Sequence, residues 1–154
     1  MTAPLRTAAL AACIAAVPLT ALASPRPFAG PAGWDHTVGA AATPQSARAL
    51  ESWKKSDAEV VTYLTDPGLS YDDMVGLVKK NVSDNGLKPS LNVDRTCAGR
   101  RAHELEMTLG TMVVHQMIVD DAPGVTKVTY TRAQGVPAAP DAVTALTSYC
   151  AATQ

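Results

Sequence analysis

Residues 101–119 read Arg-Ala-His-Glu-Leu-Glu-Met-Thr-Leu-Gly-Thr-Met-Val-Val-His-Gln-Met-Ile-Val. On both sides of Gly110 the chain is β-rich and alternates apolar with polar residues, and a lone glycine between two such runs marks a reversal. The stretch predicts two antiparallel strands, Arg101 to Leu109 and Thr111 to Val119. Working outward, Leu87 to Cys97 and Val125 to Arg132 have the same character and are set off by Gly99 and by Pro123-Gly124. All four read as short-loop strands of one antiparallel sheet.

Upstream, Leu50 to Trp53 and Glu59 to Leu64 flank the polar turn Lys54 to Ala58, the pattern of a β-hairpin. Asp66-Pro67-Gly68-Leu69 stops its second strand. Ser70-Tyr71-Asp72-Asp73 then starts a helix, with Ser70 as N-cap and two acids in the first turn, where the helix dipole favours them. Tyr71, Met74, Val75, Val78 and Val82 share one helical face, and Asn85-Gly86 ends the helix. Downstream, Val136-Pro137-Ala138-Ala139-Pro140 opens a second helix that buries Val143, Leu146, Tyr149 and Cys150. The expected fold class is α+β, an antiparallel sheet of about six strands flanked by two or three helices.

The N-terminus reads differently. Arg6 precedes an uncharged run from Thr7 to Ala23, and Ala21-Leu22-Ala23 has the small-x-small form of an export cleavage site. Residues 1–23 are expected to be a cleaved signal; Leu10-Ala11-Ala12-Cys13 resembles a lipobox, but too short an apolar stretch precedes it. The run is also too short, and too poorly flanked, for a membrane anchor, so the mature chain is expected to have no transmembrane segment and to be secreted or periplasmic. Residues 24–33 hold three prolines and two glycines and are expected to be a tether outside the core, leaving residues 34–154 as a single domain. With the chain's one Phe in that tether, the core is expected to rest on Val, Leu and Met.

Cleavage leaves Cys97 and Cys150. In an oxidising compartment the pair reads as a disulfide that pins the second helix to the sheet, with two buried free thiols as the alternative. The net charge of -1 for the whole chain lacks the basic excess that a nucleic-acid binder needs to displace counterions.

The order of parts carries a resemblance. Gly33-Trp34, a hairpin, a helix after Ser70-Tyr71-Asp72-Asp73, four strands including Val128-Thr129-Tyr130-Thr131-Arg132, and a closing helix resemble the PsbP/Mog1-like superfamily over roughly residues 33–152. The resemblance implies an α/β/α sandwich. That superfamily includes photosystem accessory subunits, a nuclear-transport GTPase binder and bacterial envelope proteins, and only the envelope branch suits an exported chain. No functional residue carries over from it.

Catalytic signatures are missing: there is no phosphate-binding glycine loop, H-E-x-x-H, C-x-x-C or G-x-S-x-G. Ser70 comes closest to a nucleophile elbow, but the N-cap role accounts for it. His36 reads as a lone residue in an exposed loop, and Asn81-Val82-Ser83 is a glycosylation pattern inside a helix. Lys54-Lys55, Lys79-Lys80 and Arg100-Arg101 read as solvated faces.

One cluster can carry chemistry, and its meaning hangs on the turn at Gly110. A three-residue loop, Leu109-Gly110-Thr111, gathers His103, Met107, His115 and Met117 on one face as soft ligands for copper(I). A two-residue loop pairs Leu109 with Met112, sets His115 beside Glu106, and sends His103 and Met107 to the other face. Core packing by the methionines competes with the first arrangement, and the second leaves Glu106 and His115 as a possible hydrolase acid–base pair. The leading expectation is an exported, non-enzymatic domain without a cofactor, binding a protein or small ligand.

Overall fold

The computed structural model describes residues 27–39 and 49–151. The expected signal, including Cys13, lies outside the described residues. Seven strands and two helices follow in the order β1 (Asp35–Val38), β2 (Ala49–Ser56), β3 (Glu59–Asp66), α1 (Tyr71–Asp84), β4 (Leu91–Cys97), β5 (Arg100–Leu109), β6 (Met112–Asp121), β7 (Gly124–Ala133) and α2 (Pro140–Ala151). The strands form one antiparallel sheet in the order β1-β2-β3-β7-β6-β5-β4. The additional strand relative to the sequence reading is β1, which places His36 on a strand and not in a loop. β4 begins at Leu91, later than the expected Leu87.

Two meanders make the sheet, β1 to β3 and β4 to β7. Because β7 pairs with β3 at the centre, the chain leaving β3 must cross β7, β6 and β5 to start β4 at the far edge. Helix α1 makes that crossing and packs Tyr71, Met74 and Val75 on Ile118 of β6 and Val125 of β7. Its start is fixed by Ser70, whose hydroxyl accepts from the Asp73 backbone N–H at 3.1 Å and donates to the Asp73 carboxylate at 2.6 Å. Gly86, at φ +59°, takes the left-handed turn after the C-cap Asn85.

The opposite face holds α2 and most of the aromatic side chains. Phe28, Trp34, Trp53, Tyr63, Tyr130 and Tyr149 are all buried there with Val61, Met117, Val119, Val128 and Leu146. This corrects two expectations. The Pro/Gly-rich stretch is not a tether throughout: Phe28 stacks on Tyr63 at 5.4 Å and meets Trp53 and Tyr149 edge-on at 5.1 and 5.9 Å. The core on this side is aromatic as well as aliphatic, since the few aromatic residues are concentrated in it. A third correction concerns α2, where Val143 is 39% exposed while Ala142 and Ala145 face the sheet. Small residues at those positions let the helix approach the strands closely.

Tyrosine hydroxyls tie α2 at both ends. The backbone N–H of Ala139, just before the helix, donates to Tyr130 Oη at 2.9 Å, and that hydroxyl donates to Glu59 at 2.7 Å. At the other end Tyr149 Oη donates to Asp121 at 2.8 Å. Beside it, Cys150 is bonded to Cys97 at the end of β4, with Cα atoms 4.4 Å apart.

Two measurements test this core. Replacing Phe28 with Ala removes a ring packed among three others and should cost about 3 kcal/mol or more in urea unfolding, as such truncations do; an unchanged midpoint would return the segment to the status of a tether. Intact mass after alkylation should show Cys97 and Cys150 blocked until reduction. The double serine variant should lose about 4 kcal/mol, the loop-closure entropy of a cross-link spanning 53 residues.

Candidate functional site

The turn at Gly110 has two residues. Leu109 pairs with Met112, and from there Met107 pairs with Val114, Glu106 with His115, Glu104 with Met117 and His103 with Ile118. Strand alternation then separates the four soft ligands. His103 and Met107 lie on the α1 face, His115 and Met117 on the α2 face. The copper arrangement through His103, Met107, His115 and Met117 is therefore corrected, and Met107 and Met117 are buried core residues. Among the described residues no group of three or more His, Cys, Asp or Glu side chains is placed to hold a metal.

The same register builds a different cluster. Helix α2 runs from beside Tyr130 to Cys97, and the corner of the sheet formed by β4, β5 and β6 beyond it carries polar side chains on the α2 face. Glu104 is its centre, a carboxylate only 8% exposed. One oxygen bonds His115 Nε2 at 2.7 Å, and the other pairs with the Arg95 guanidinium from β4. His115 Nδ1 lies 4.0 Å from Glu106, whose carboxylate accepts the Ser90 hydroxyl at 2.9 Å. Arg95, Glu104, His115, Glu106 and Ser90 thus form one continuous ladder across three strands.

Sequence reasoning placed Glu106 beside His115 and missed Glu104 and Arg95. The signal for Glu104 was present: a residue two positions along from the directly opposite one lies diagonally across the strand pair, within reach of a long side chain. Arg95 required the register of β4 as well, which the two-residue turn Ala98-Gly99 sets by pairing Cys97 with Arg100.

Nucleophilic catalysis needs a hydroxyl or thiol hydrogen-bonded to the base. In this ladder Ser90 donates to a carboxylate, and the short bond of the imidazole goes to Glu104. Both oxygens of Glu104 are occupied by partners on neighbouring strands. What the arrangement does chemically is hold a guanidinium, two carboxylates and an imidazole in an ordered row on a rigid sheet.

The other singled-out residues are paired in ordinary ways. Ser70 is consumed as the helix cap. His36 stacks on Trp53 at 4.6 Å and bonds Glu51 at 2.8 Å. Asn81 accepts from Asn85 at 2.6 Å within α1. Lys55 reaches Glu59 at 3.5 Å, Lys79 reaches Asp94 at 3.8 Å, and Arg101 bridges Asp72 and Asp120 at 3.0 and 2.9 Å while lying over the Tyr71 ring.

His103 is the most buried of the three histidines, 1% exposed. Its Nδ1 bonds the Asp94 carboxylate at 2.8 Å, while Nε2 is buried without a partner. No family model, curated protein or solved structure matches the chain. The geometry of these residues is accordingly what a functional reading has to rest on.

The His103 hydrogen bond, followed by the charge of Lys79, holds the Asp94 carboxyl below the ordinary 3.8. A carboxylate depressed in the folded state stabilises the fold above its unfolded pKa and loses that contribution as pH falls through the depressed value. The stability difference between the natural chain and Asp94→Asn should therefore narrow on acidification below that range. Carboxyl NMR should show the Asp94 midpoint returning toward 3.8 in His103→Gln; a midpoint indifferent to that change would deny the bond its role.

Proposed function

We propose that the chain is an exported, non-enzymatic domain that binds a protein or small ligand in the cell envelope or outside the cell. The observation that carries this reading is the open corner of β4, β5 and β6, where the Arg95–Glu104–His115–Glu106 ladder stands beside α2. Its groups are fixed by one another and by strand register, so the charge pattern is preformed and little ordering is left for a ligand to impose. Arg95 offers an exposed cation at one end and Glu106 a partly exposed carboxylate at the other, with Leu91 and Val93 supplying apolar surface between Arg95 and the start of β4. A ligand that carries both charges, or a peptide segment with alternating charge, matches that pattern.

Export is supported by the Arg6-to-Ala23 pattern and by a cysteine pair placed to staple a small domain. Among the described residues no helix is long and apolar enough to cross a membrane. Kinship with the envelope branch of the PsbP/Mog1-like superfamily belongs to the same proposal, and the order of elements from Trp34 to Ala151, with a helix on each side of an antiparallel sheet, is what supports it.

The test uses protein expressed with its N-terminal segment and recovered after export, whose first residue should be Ser24. A fragment and peptide screen by amide NMR should perturb Arg95, Glu104, Glu106 and His115 together, and a panel of ester, glycoside and phosphate substrates should show no turnover. Turnover abolished by Glu106→Gln or His115→Ala would replace this reading with a hydrolase that uses the same pair.

A further inference from the structure

The two edges of the sheet are unequal. β1 is four residues long, and the neighbouring β2 carries a register shift between Lys54 and Ser56. Short edge strands and bulges are the usual devices that stop one sheet from pairing with another. β4 has neither. Its seven residues, Leu91 to Cys97, pair with β5 in unbroken register and include no Pro, Lys or Gly. Its two charges stand on exposed side chains but are already paired within the domain, Asp94 with His103 and Lys79 and Arg95 with Glu104.

We infer that β4 is a self-pairing edge, and that two copies of the chain join antiparallel through it about a two-fold axis at Val93.

The backbone phase is set by the turn. Ala98 and Gly99 both have positive φ, +48° and +78°, so Cys97 and Arg100 close a two-residue hairpin as a hydrogen-bonded pair. Alternation along an antiparallel ladder then turns the N–H and C=O groups of Leu91, Val93 and Arg95 toward β5, and those of Asn92, Asp94 and Thr96 outward. A two-fold axis normal to the sheet keeps each face on its own side, so it must pass through a residue and not between two.

The side chains choose which residue. An axis at Asp94 sets two carboxylates opposite each other, and an axis at Arg95 does the same with two guanidinium groups; like charges directly opposite destabilise a strand pair. An axis at Asn92 carries half of the contact past the start of β4 onto Pro89, and one at Thr96 runs into the Ala98-Gly99 turn.

At Val93 the conflicts vanish. Val93, an apolar side chain 37% exposed, meets Val93 of the partner subunit in a non-hydrogen-bonded pair, where side chains approach most closely. Asn92 faces the partner's Asp94. The Oδ1 atom of Asp94 takes both His103 and Lys79, which leaves Oδ2 to accept from the Asn92 amide. Leu91 stands opposite the partner's Arg95, an apolar side chain facing a cation that is already paired with its own Glu104.

This pairing does not depend on the binding reading above. It has a consequence for it, because it takes up Leu91 and Val93 at the seam and sets the two Arg95–Glu104–His115–Glu106 ladders side by side on one face of a continuous sheet.

Site-directed cross-linking tests the register. In the full chain with Cys13→Ser, Val93→Cys should oxidise to a covalent dimer, while Thr96→Cys on the same strand and Val143→Cys on α2 should stay monomeric. Sedimentation should give a dimer for the natural chain and a monomer for Val93→Lys, with the urea midpoint of that variant independent of concentration and equal to that of the natural chain diluted to monomer. A monomeric natural chain, an oligomer that survives Val93→Lys, or cross-linking at Thr96→Cys as efficient as at Val93→Cys would each overturn the inference. Loss of ligand perturbation at Arg95 and Glu104 with the dimer intact would count against the binding reading alone.

Discussion

Two residues, Gly110 and Thr111, decide which face every side chain of β5 and β6 occupies. Side chains alternate with a period of two, so one further residue in that turn would exchange the two faces of β5 relative to β6. The surroundings show why such a slip is disfavoured. With β6 held by β7 through Met117–Val128 and Val119–Thr126, a shifted β5 would bring His103 in place of Ala102 into the core on the α2 face. It would also send Glu104 and Glu106 under α1. The short turn and the small residues below α2 enforce the same answer, and both the buried His103 and the charged corner follow from it.

The α2 face then explains how a chain with 5% aromatic residues builds a core. Six of its seven aromatic side chains converge on that face, each removing a large apolar surface from water. The polar ends of two of them are put to structural use. Tyr130 satisfies a backbone donor at the start of α2, and Tyr149 bonds Asp121 near its end, where Asp121 also pairs with Arg100. Together with the Cys97–Cys150 bond, these contacts hold a twelve-residue helix whose buried side is only Ala142, Ala145, Leu146 and Tyr149. Packing alone from so small a face would fix its position less firmly.

Much of this was legible in the sequence because it depends on local signals. The Ser70 cap, the Asn85-Gly86 end of α1, the β2–β3 hairpin and the four later strands all follow from turn chemistry and periodicity. What escaped depends on contacts between distant segments. Phe28 sits among prolines and glycines, a composition that hides a side chain whose partners lie on β2, β3 and α2. β1 has four exposed residues and no apolar alternation to betray it. The ladder was half visible: Glu106 and His115 followed from the shorter turn, but Glu104 needed the diagonal contact and Arg95 needed the register of β4.

Glu104 is also where stability and the proposed recognition meet. Burying a carboxylate is unfavourable unless its oxygens are paired, and here one is paired with an imidazole and the other with a guanidinium on different strands. An apolar residue at this position would pack at no electrostatic cost, yet it would free Arg95 and His115 to sample other rotamers. With Glu104 present, Arg95 is fixed at the β4 edge and His115 is held toward Glu106. Since Arg95 stands two residues from Val93, whatever adds to that edge meets a guanidinium whose direction is already set from inside the sheet. The buried acid thus gives the exposed edge its geometry, and an edge with fixed geometry can discriminate between one register and the next.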